Sequence, residues 1–219
     1  MSKKIAVVLS GCGVYDGAEI HESVLTLLAL DRRGVDTLIC APDIDQMHVI
    51  NHLSGEVAEG ERRNVLVESA RIARGDITDI ANLRAEAVDG VILPGGFGAA
   101  KNLCDFAIKG AQCEVHPEVA RLLREVHDAG KPVAAVCIAP ALLAKVFGDQ
   151  APELTIGNDA QTASALETLG AKHVECPARE FVVDRERKLI SSPAYMTAGG
   201  IAELAEGIDH TVEALIDMT

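Results

Sequence analysis

Four runs of apolar residues bounded by turn formers recur along the chain, at residues 5–9, 35–41, 88–93 and 132–137. They are continuous rather than alternating, as expected of parallel strands covered on both faces. Helical periods lie between them. Ile20, Val24, Leu27 and Leu28 fall at i, i+4, i+7 and i+8, which predicts a helix whose apolar stripe faces the core, with Gly34 as its C-terminal stop. Val119, Leu122, Leu123 and Val126 repeat the pattern, and Gly130 and Pro132 end that element. Between the second and third strands, residues 62–80 form a polar, helix-like segment that reads as an insertion near a ligand-binding edge. Residues 181–192 read as two short strands around a charged turn, followed by a final helix from about Ile201. Strand and helix alternating through short glycine-bearing joints is α/β grammar with a mainly parallel sheet, here closed by a C-terminal hairpin and helix. With no repeat, low-complexity tract or linker, residues 1–219 read as a single domain.

Composition narrows the partners. Lys and Arg number 20 against 33 Asp and Glu, a net charge of −13, so the average surface repels phosphate backbones and anionic lipid. Aromatic residues are 3% of the chain, too few for the stacking platforms of single-strand binders or the belts of membrane interfaces. Nucleic acid and membrane are therefore not expected partners. The apolar run after Met1-Ser2-Lys3-Lys4 meets Ser10-Gly11-Cys12-Gly13 too soon for a signal peptide. No stretch approaches the roughly 18 apolar residues of a membrane span, and the expected location is the cytoplasm. The Cys residues at 12, 40, 104, 113, 137 and 176 are dispersed, which reads as free thiols rather than a disulfide framework.

Three joints can carry chemistry. In Val136-Cys137-Ile138-Ala139-Pro140 a strand run ends at Cys137 and a helix former with Pro in its first turn follows. This is the elbow that holds a nucleophile among backbone N–H groups, and a helix N-terminus there favours thiolate over thiol. A buried structural thiol is the plainer alternative. In Leu93-Pro94-Gly95-Gly96-Phe97-Gly98 a strand runs into glycines whose N–H groups can bind an oxyanion, although Gly-Gly after a strand also serves any α/β turn. The third joint, Gly11-Cys12-Gly13-Val14-Tyr15-Asp16-Gly17, departs from the G-x-G-x-x-G dinucleotide spacing. Glu19 and Glu22 follow it at i, i+3; a carboxyl beside a thiol can hold and exchange its proton, and otherwise both are first-turn acids favoured by the helix dipole. His48 with His52 and Cys113 with His116 have metal-ligand spacing but no second half, so no metal is expected. Neither a G-x-S-x-G nor a P-loop string occurs.

The string from Leu93 to Leu103, Val136-Cys137-Ile138-Ala139-Pro140 about forty residues on, and a Glu in the first helix resemble the PfpI/ThiJ superfamily of class I glutamine-amidotransferase-like folds. Ser10-Gly11-Cys12-Gly13-Val14-Tyr15-Asp16-Gly17, Ile50-Asn51-His52-Leu53, Arg63-Asn64-Val65-Leu66 and Ser192-Pro193-Ala194-Tyr195-Met196 are similar to its ElbB branch, described as glyoxalase and as isoprenoid-biosynthesis protein. The similarity spans essentially the whole chain. It implies a flavodoxin-like three-layer α/β/α sandwich, a homodimer and a cofactor-free cysteine site. Cys137 is then the nucleophile, Glu22 the acid that hydrogen-bonds it, with Glu19 the fallback, and Gly96 and Ile138 the oxyanion donors. Asn51, His52, Arg63 and Tyr195 are candidates for lining the pocket. Two departures matter. Ile138 stands where protease-like members have His, and Leu154-Thr155-Ile156-Gly157 occupies the place of a further His. The implied activity is glutathione-independent conversion of glyoxal, and by extension methylglyoxal, to the 2-hydroxy acid, in a small site suited to a two- or three-carbon dicarbonyl. A redox-sensing or chaperone-like stress protein is the alternative on the same thiol. A glutaminase subunit, for which His173-Val174-Glu175 offers the only H-x-E string after Cys137, comes next.

Overall fold

In the computed structural model, which describes residues 2–219, the sheet is built from β1 (Lys4–Val8), β2 (Asp36–Ala41), β3 (Thr78–Asp79), β4 (Gly90–Leu93), β5 (Val133–Val136), β6 (Val182–Asp184) and β7 (Leu189–Ser192). Their order across the sheet is β6-β7-β5-β4-β1-β2-β3. Every pairing is parallel except the β6–β7 hairpin. The four apolar runs are the four central strands, β5-β4-β1-β2, which explains why their sequences do not alternate.

Both faces of the sheet are covered. In β1, Ala6 and Val8 enter one core while Ile5 and Val7 enter the other, and in β5 Val133 and Ala135 part in the same way from Ala134 and Val136. The first core is closed by α3 (Phe97–Lys101), α4 (Phe106–Lys109), α5 (Pro117–Asp128), α6 (Pro140–Phe147) and α7 (Ala160–Thr168). The second is closed by α1 (Ile20–Arg32), α2 (Val65–Ile72) and α8 (Ile201–Asp217). The result is a three-layer α/β/α sandwich with a C-terminal hairpin and long helix. Two further ladders, Ile50–Asn51 with Glu56–Val57 and Glu153–Leu154 with Lys172–His173, lie outside the main sheet.

Two expectations are corrected. Residues 62–80 are no insertion: they supply α2 and the edge strand β3, which pairs with β2 through Cys40–Thr78 and Ala41–Asp79. With only two residues, β3 carries no apolar run to announce it. Three of the four residues of the predicted stripe of α1 are turned outward, and Leu27 alone packs against the second core. Ile20, Val24 and Leu28 are exposed, whereas Glu22, Ser23, Thr26, Ala29 and Leu30 are buried. The buried face holds small or polar side chains because α1 must bring Glu22 down to the ends of the strands; Ala29 and Leu30 anchor its far end in the core.

Candidate active site

The sheet's order reverses between β1 and β4, because the chain winds from β1 outward to β3 and then returns to build β4 and β5 on the other side. In open α/β sheets the crevice beyond the carboxyl ends of the strands at such a switch collects ligand-binding loops. Here it collects the joints after β1, β4 and β5, which are the three singled out in the sequence.

Cys137 follows β5 directly, with φ +61°, a left-handed conformation that costs a non-glycine residue on the order of 1–2 kcal/mol. The surroundings enforce it. Cys137 N–H donates to the Ser192 carbonyl of β7 at 2.9 Å, and α6 begins at Pro140 with proline in its first turn. The thiol is therefore lifted out of line with the strand and held against Glu22 and the joint after β4.

Glu22 is fully buried in the first turn of α1. Its Oε2 accepts the Gly95 N–H at 2.8 Å, its Oε1 accepts the Tyr195 N–H at 3.3 Å, and its carboxyl shares a hydrogen bond with the Cys137 thiol. Glu19 takes another part. It caps α1, accepting the Glu22 N–H on Oε2 at 2.7 Å, while its own N–H donates to the Gly95 carbonyl at 2.9 Å. The carboxyl that meets the thiol is thus Glu22, and Glu19 lines the cleft above it.

Glycine is required at the second joint. A Cβ on Gly95 would stand 2.4 Å from the Cys137 Cβ and 2.8 Å from Glu22 Oε2. Gly96 has φ +91°, and a Cβ there would meet the Glu19 nitrogen at 2.4 Å. The absence of side chains lets the Gly96 N–H, together with that of Ile138, hydrogen-bond to the Cys137 sulfur. Cys137, Glu22, Gly96 and Ile138 are all brought together.

The electrostatics correct the sequence-based expectation of a lowered thiol pKa. Burial, and then the negative charge and hydrogen bond of Glu22, hold the Cys137 thiol well above its ordinary value, against the opposing pull of the Gly96 and Ile138 N–H groups. Burial first, and then the Glu19 carboxylate, raise Glu22 from 4.5 to about 7. Burial thus keeps the thiol proton on sulfur near neutral pH, while the Glu22 carboxyl, at about 7, can both take up and release a proton there. Cys40 and Cys104 are pushed up to about 12 mainly by burial, with smaller charge effects from Asp79 and Asp105, and no carboxyl hydrogen-bonds either thiol.

A cleft of about 590 Å³ opens over the thiol. Tyr195 lines it, with its hydroxyl 2.8 Å from His21 Nδ1; Asn51, His52 and Arg63 do not. His52 instead packs on Tyr15, Asn51 Oδ1 accepts the Leu53 N–H, and Arg63 pairs with Glu61 and Glu68. His173, Val174 and Glu175 are not among the cleft residues. The walls that sequence reasoning missed are Phe97 and Ala100 of α3, Phe106 and Ile108 of α4, Thr162 and Ala165 of α7, and Met196. The only hint of them was that Phe97 interrupts the glycine string and that Phe106-Ala107-Ile108 is apolar in a short, otherwise polar stretch. Among the described residues no group of three or more His, Cys, Asp or Glu side chains could hold a metal, and no helix is long and apolar enough to cross a membrane.

Comparison with known proteins gives one answer. The DJ-1/PfpI family profile matches residues 4–202. The human protein named glutamine amidotransferase-like class 1 domain-containing protein 3, mitochondrial, is 49% identical over 99% of this chain and 83% of its own length. The zebrafish (Danio rerio) ES1 protein, mitochondrial, is 34% identical over 98% of this chain and 86% of its own. Among solved structures, an isoprenoid biosynthesis protein with amidotransferase-like domain from Ehrlichia chaffeensis superposes with a TM-score of 0.93, at 38% identity and 99% coverage of both chains.

Proposed function

The chain belongs to the DJ-1/PfpI family, and on that premise we propose that it is a glutathione-independent glyoxalase that converts glyoxal, and methylglyoxal, to the 2-hydroxy acid. The observation that carries this reading is the buried Glu22 carboxyl, raised to about 7 and hydrogen-bonded to a thiol on a strained elbow. Such a pair moves a proton back and forth at neutral pH, which an internal redox reaction of a dicarbonyl requires.

Cys137 sulfur adds to the aldehyde carbon as Glu22 takes the thiol proton, and the developing oxyanion accepts from the Gly96 and Ile138 N–H groups, giving a hemithioacetal. Glu22 passes its proton to that oxygen. It then removes the hydrogen on the sulfur-bearing carbon as a proton; the electron pair left behind forms a double bond to the neighbouring carbonyl carbon, whose oxygen takes the proton from Glu22 to give an enediol. Glu22 next takes the hydroxyl proton of the sulfur-bearing carbon and returns it to the neighbouring carbon, leaving an alcohol there and a thioester at the first carbon. Water cleaves the thioester, releasing the hydroxy acid and restoring the thiol. The aldehyde carbon is oxidised and its neighbour reduced, so no external electron carrier enters.

The alternatives fit less well. A redox sensor needs an accessible thiolate at rest, whereas Cys137 is 8% exposed and its proton is held on sulfur. Glutamine carries a carboxylate, and no Lys or Arg lines the cleft to meet it. The proposal extends to a homodimer and to a reducing aqueous compartment, the cytoplasm, where six free thiols persist; the human and zebrafish relatives are mitochondrial by name. Carbon NMR of labelled glyoxal with metal-free protein and no added thiol tests the activity. Glycolate is expected from the wild type and not from Cys137→Ala; its absence from the wild type overturns the assignment.

A further inference from the structure

Glyoxal has four heavy atoms, yet the cleft above Cys137 measures about 590 Å³, within the about 300–1,000 Å³ of pockets that enclose much larger ligands. Its walls are mainly apolar: Phe97, Phe106, Ile108, Ala165 and Met196 line it from four different elements, with Gln161, Thr162 and Tyr195 as neutral polar members. Two of these lining residues, Phe97 at 47% and Ile108 at 61% exposure, are large apolar side chains left uncovered by the rest of the chain. The only ionisable carboxyl among the lining residues is that of Glu19, and no basic side chain joins it. Lys101 is engaged otherwise, its Nζ 5.0 Å over the Phe97 ring and donating to the Tyr15 carbonyl at 3.1 Å. A phosphorylated, carboxylated or glutathione-bound substrate would enter next to a carboxylate without a counter-charge. A neutral apolar group would cover Phe97 and Ile108 and release their bound water.

We infer that the substrate of this site is a neutral 2-oxoaldehyde bearing an apolar substituent, a straight or branched alkyl chain of several carbons or an aryl ring, with its reacting end at Cys137 and its substituent against Phe97, Phe106 and Ile108. This rests on the glyoxalase reading for the reacting end alone; the apolar subsite rests on the cleft. The unsubstituted dicarbonyl is then a poor member of the substrate class, because it leaves the walls uncovered.

The experiment has two arms. In the first, kcat/KM is measured for straight-chain 2-oxoaldehydes from glyoxal to 2-oxohexanal, and a rise of up to about fourfold per methylene is expected from burial of each group. Ile108→Asp, a change at an exposed position, should flatten the series. In the second, neutral n-alkyl amides protect Cys137 from iodoacetamide, with protection deepening with chain length and the matching carboxylates protecting less. A flat or falling kcat/KM series together with chain-independent protection overturns the inference while leaving glyoxal turnover intact. Absence of turnover for every aldehyde, with amide protection still deepening along the series, upholds the apolar subsite and removes the glyoxalase reading.

Discussion

The Cys137–Glu22 contact sets both the chemistry and a stability cost. A carboxyl whose folded value is about 7, against 4.5 unfolded, binds its proton more tightly in the native state. Its contribution to stability is complete below 4.5 and is lost as pH rises through 7, amounting to about 3 kcal/mol at roughly 1.4 kcal/mol per unit. Urea denaturation between pH 4.5 and 8 should therefore show wild type losing stability relative to Glu22→Gln, with the gap closed at the acid end. The same proton governs rate. As Glu22 must be ionised to take the thiol proton, kcat/KM should rise through pH about 7 and level off above it, and Glu22→Gln should lower it about 10²–10⁴-fold. Cys137 stood out because a strand run ends at Cys just ahead of a helix-starting Pro, but a buried structural thiol fits that position as well, and the resemblance supplied its role and its carboxyl partner. The choice between Glu19 and Glu22 was not legible, since residues three apart share a helix face and only the contacts with Gly95 and Tyr195 separate them.

At the scale of elements, strands were read better than helix faces. Parallel strands buried on both sides announce themselves as unbroken apolar runs, and β1, β2, β4 and β5 were found in that way. The stripe on α1 was misassigned because periodicity identifies a helix but does not say which face is turned inward when a functional carboxyl must be buried. This assignment is open to measurement. Leu30→Ala, which empties a fully buried position, should cost about 2–5 kcal/mol in chemical denaturation, whereas Val24→Ala at a half-exposed position should stay within about 0.5 kcal/mol. Equal costs, or the reverse order, would contradict the observed face. The apolar walls of the cleft were illegible for a different reason: α3, α4 and α7 are short, and their residues meet only after the chain has wound both halves of the sheet.

Over the whole molecule, the fold turns three separated joints into one site. Pairing of β1 with β4 and of β4 with β5 aligns the ends of those strands, so that residues 19–22, 95–96 and 137–138 converge although more than a hundred positions separate the first from the last. The net charge of −13 adds to the local effect of Glu19 in keeping anions away and leaves neutral aldehydes unopposed. Light scattering tests the expected homodimer, which should give twice the 23.1 kDa chain mass; the chain mass itself would remove that part of the proposal. The most direct test of the central claim is mass spectrometry of the intact protein, quenched during turnover of glyoxal and then digested. A gain of one glyoxal mass, mapping to Cys137 and decaying as glycolate appears, is the predicted result; glycolate formed with Cys137 unmodified throughout, or formed equally well by Cys137→Ala, would contradict it.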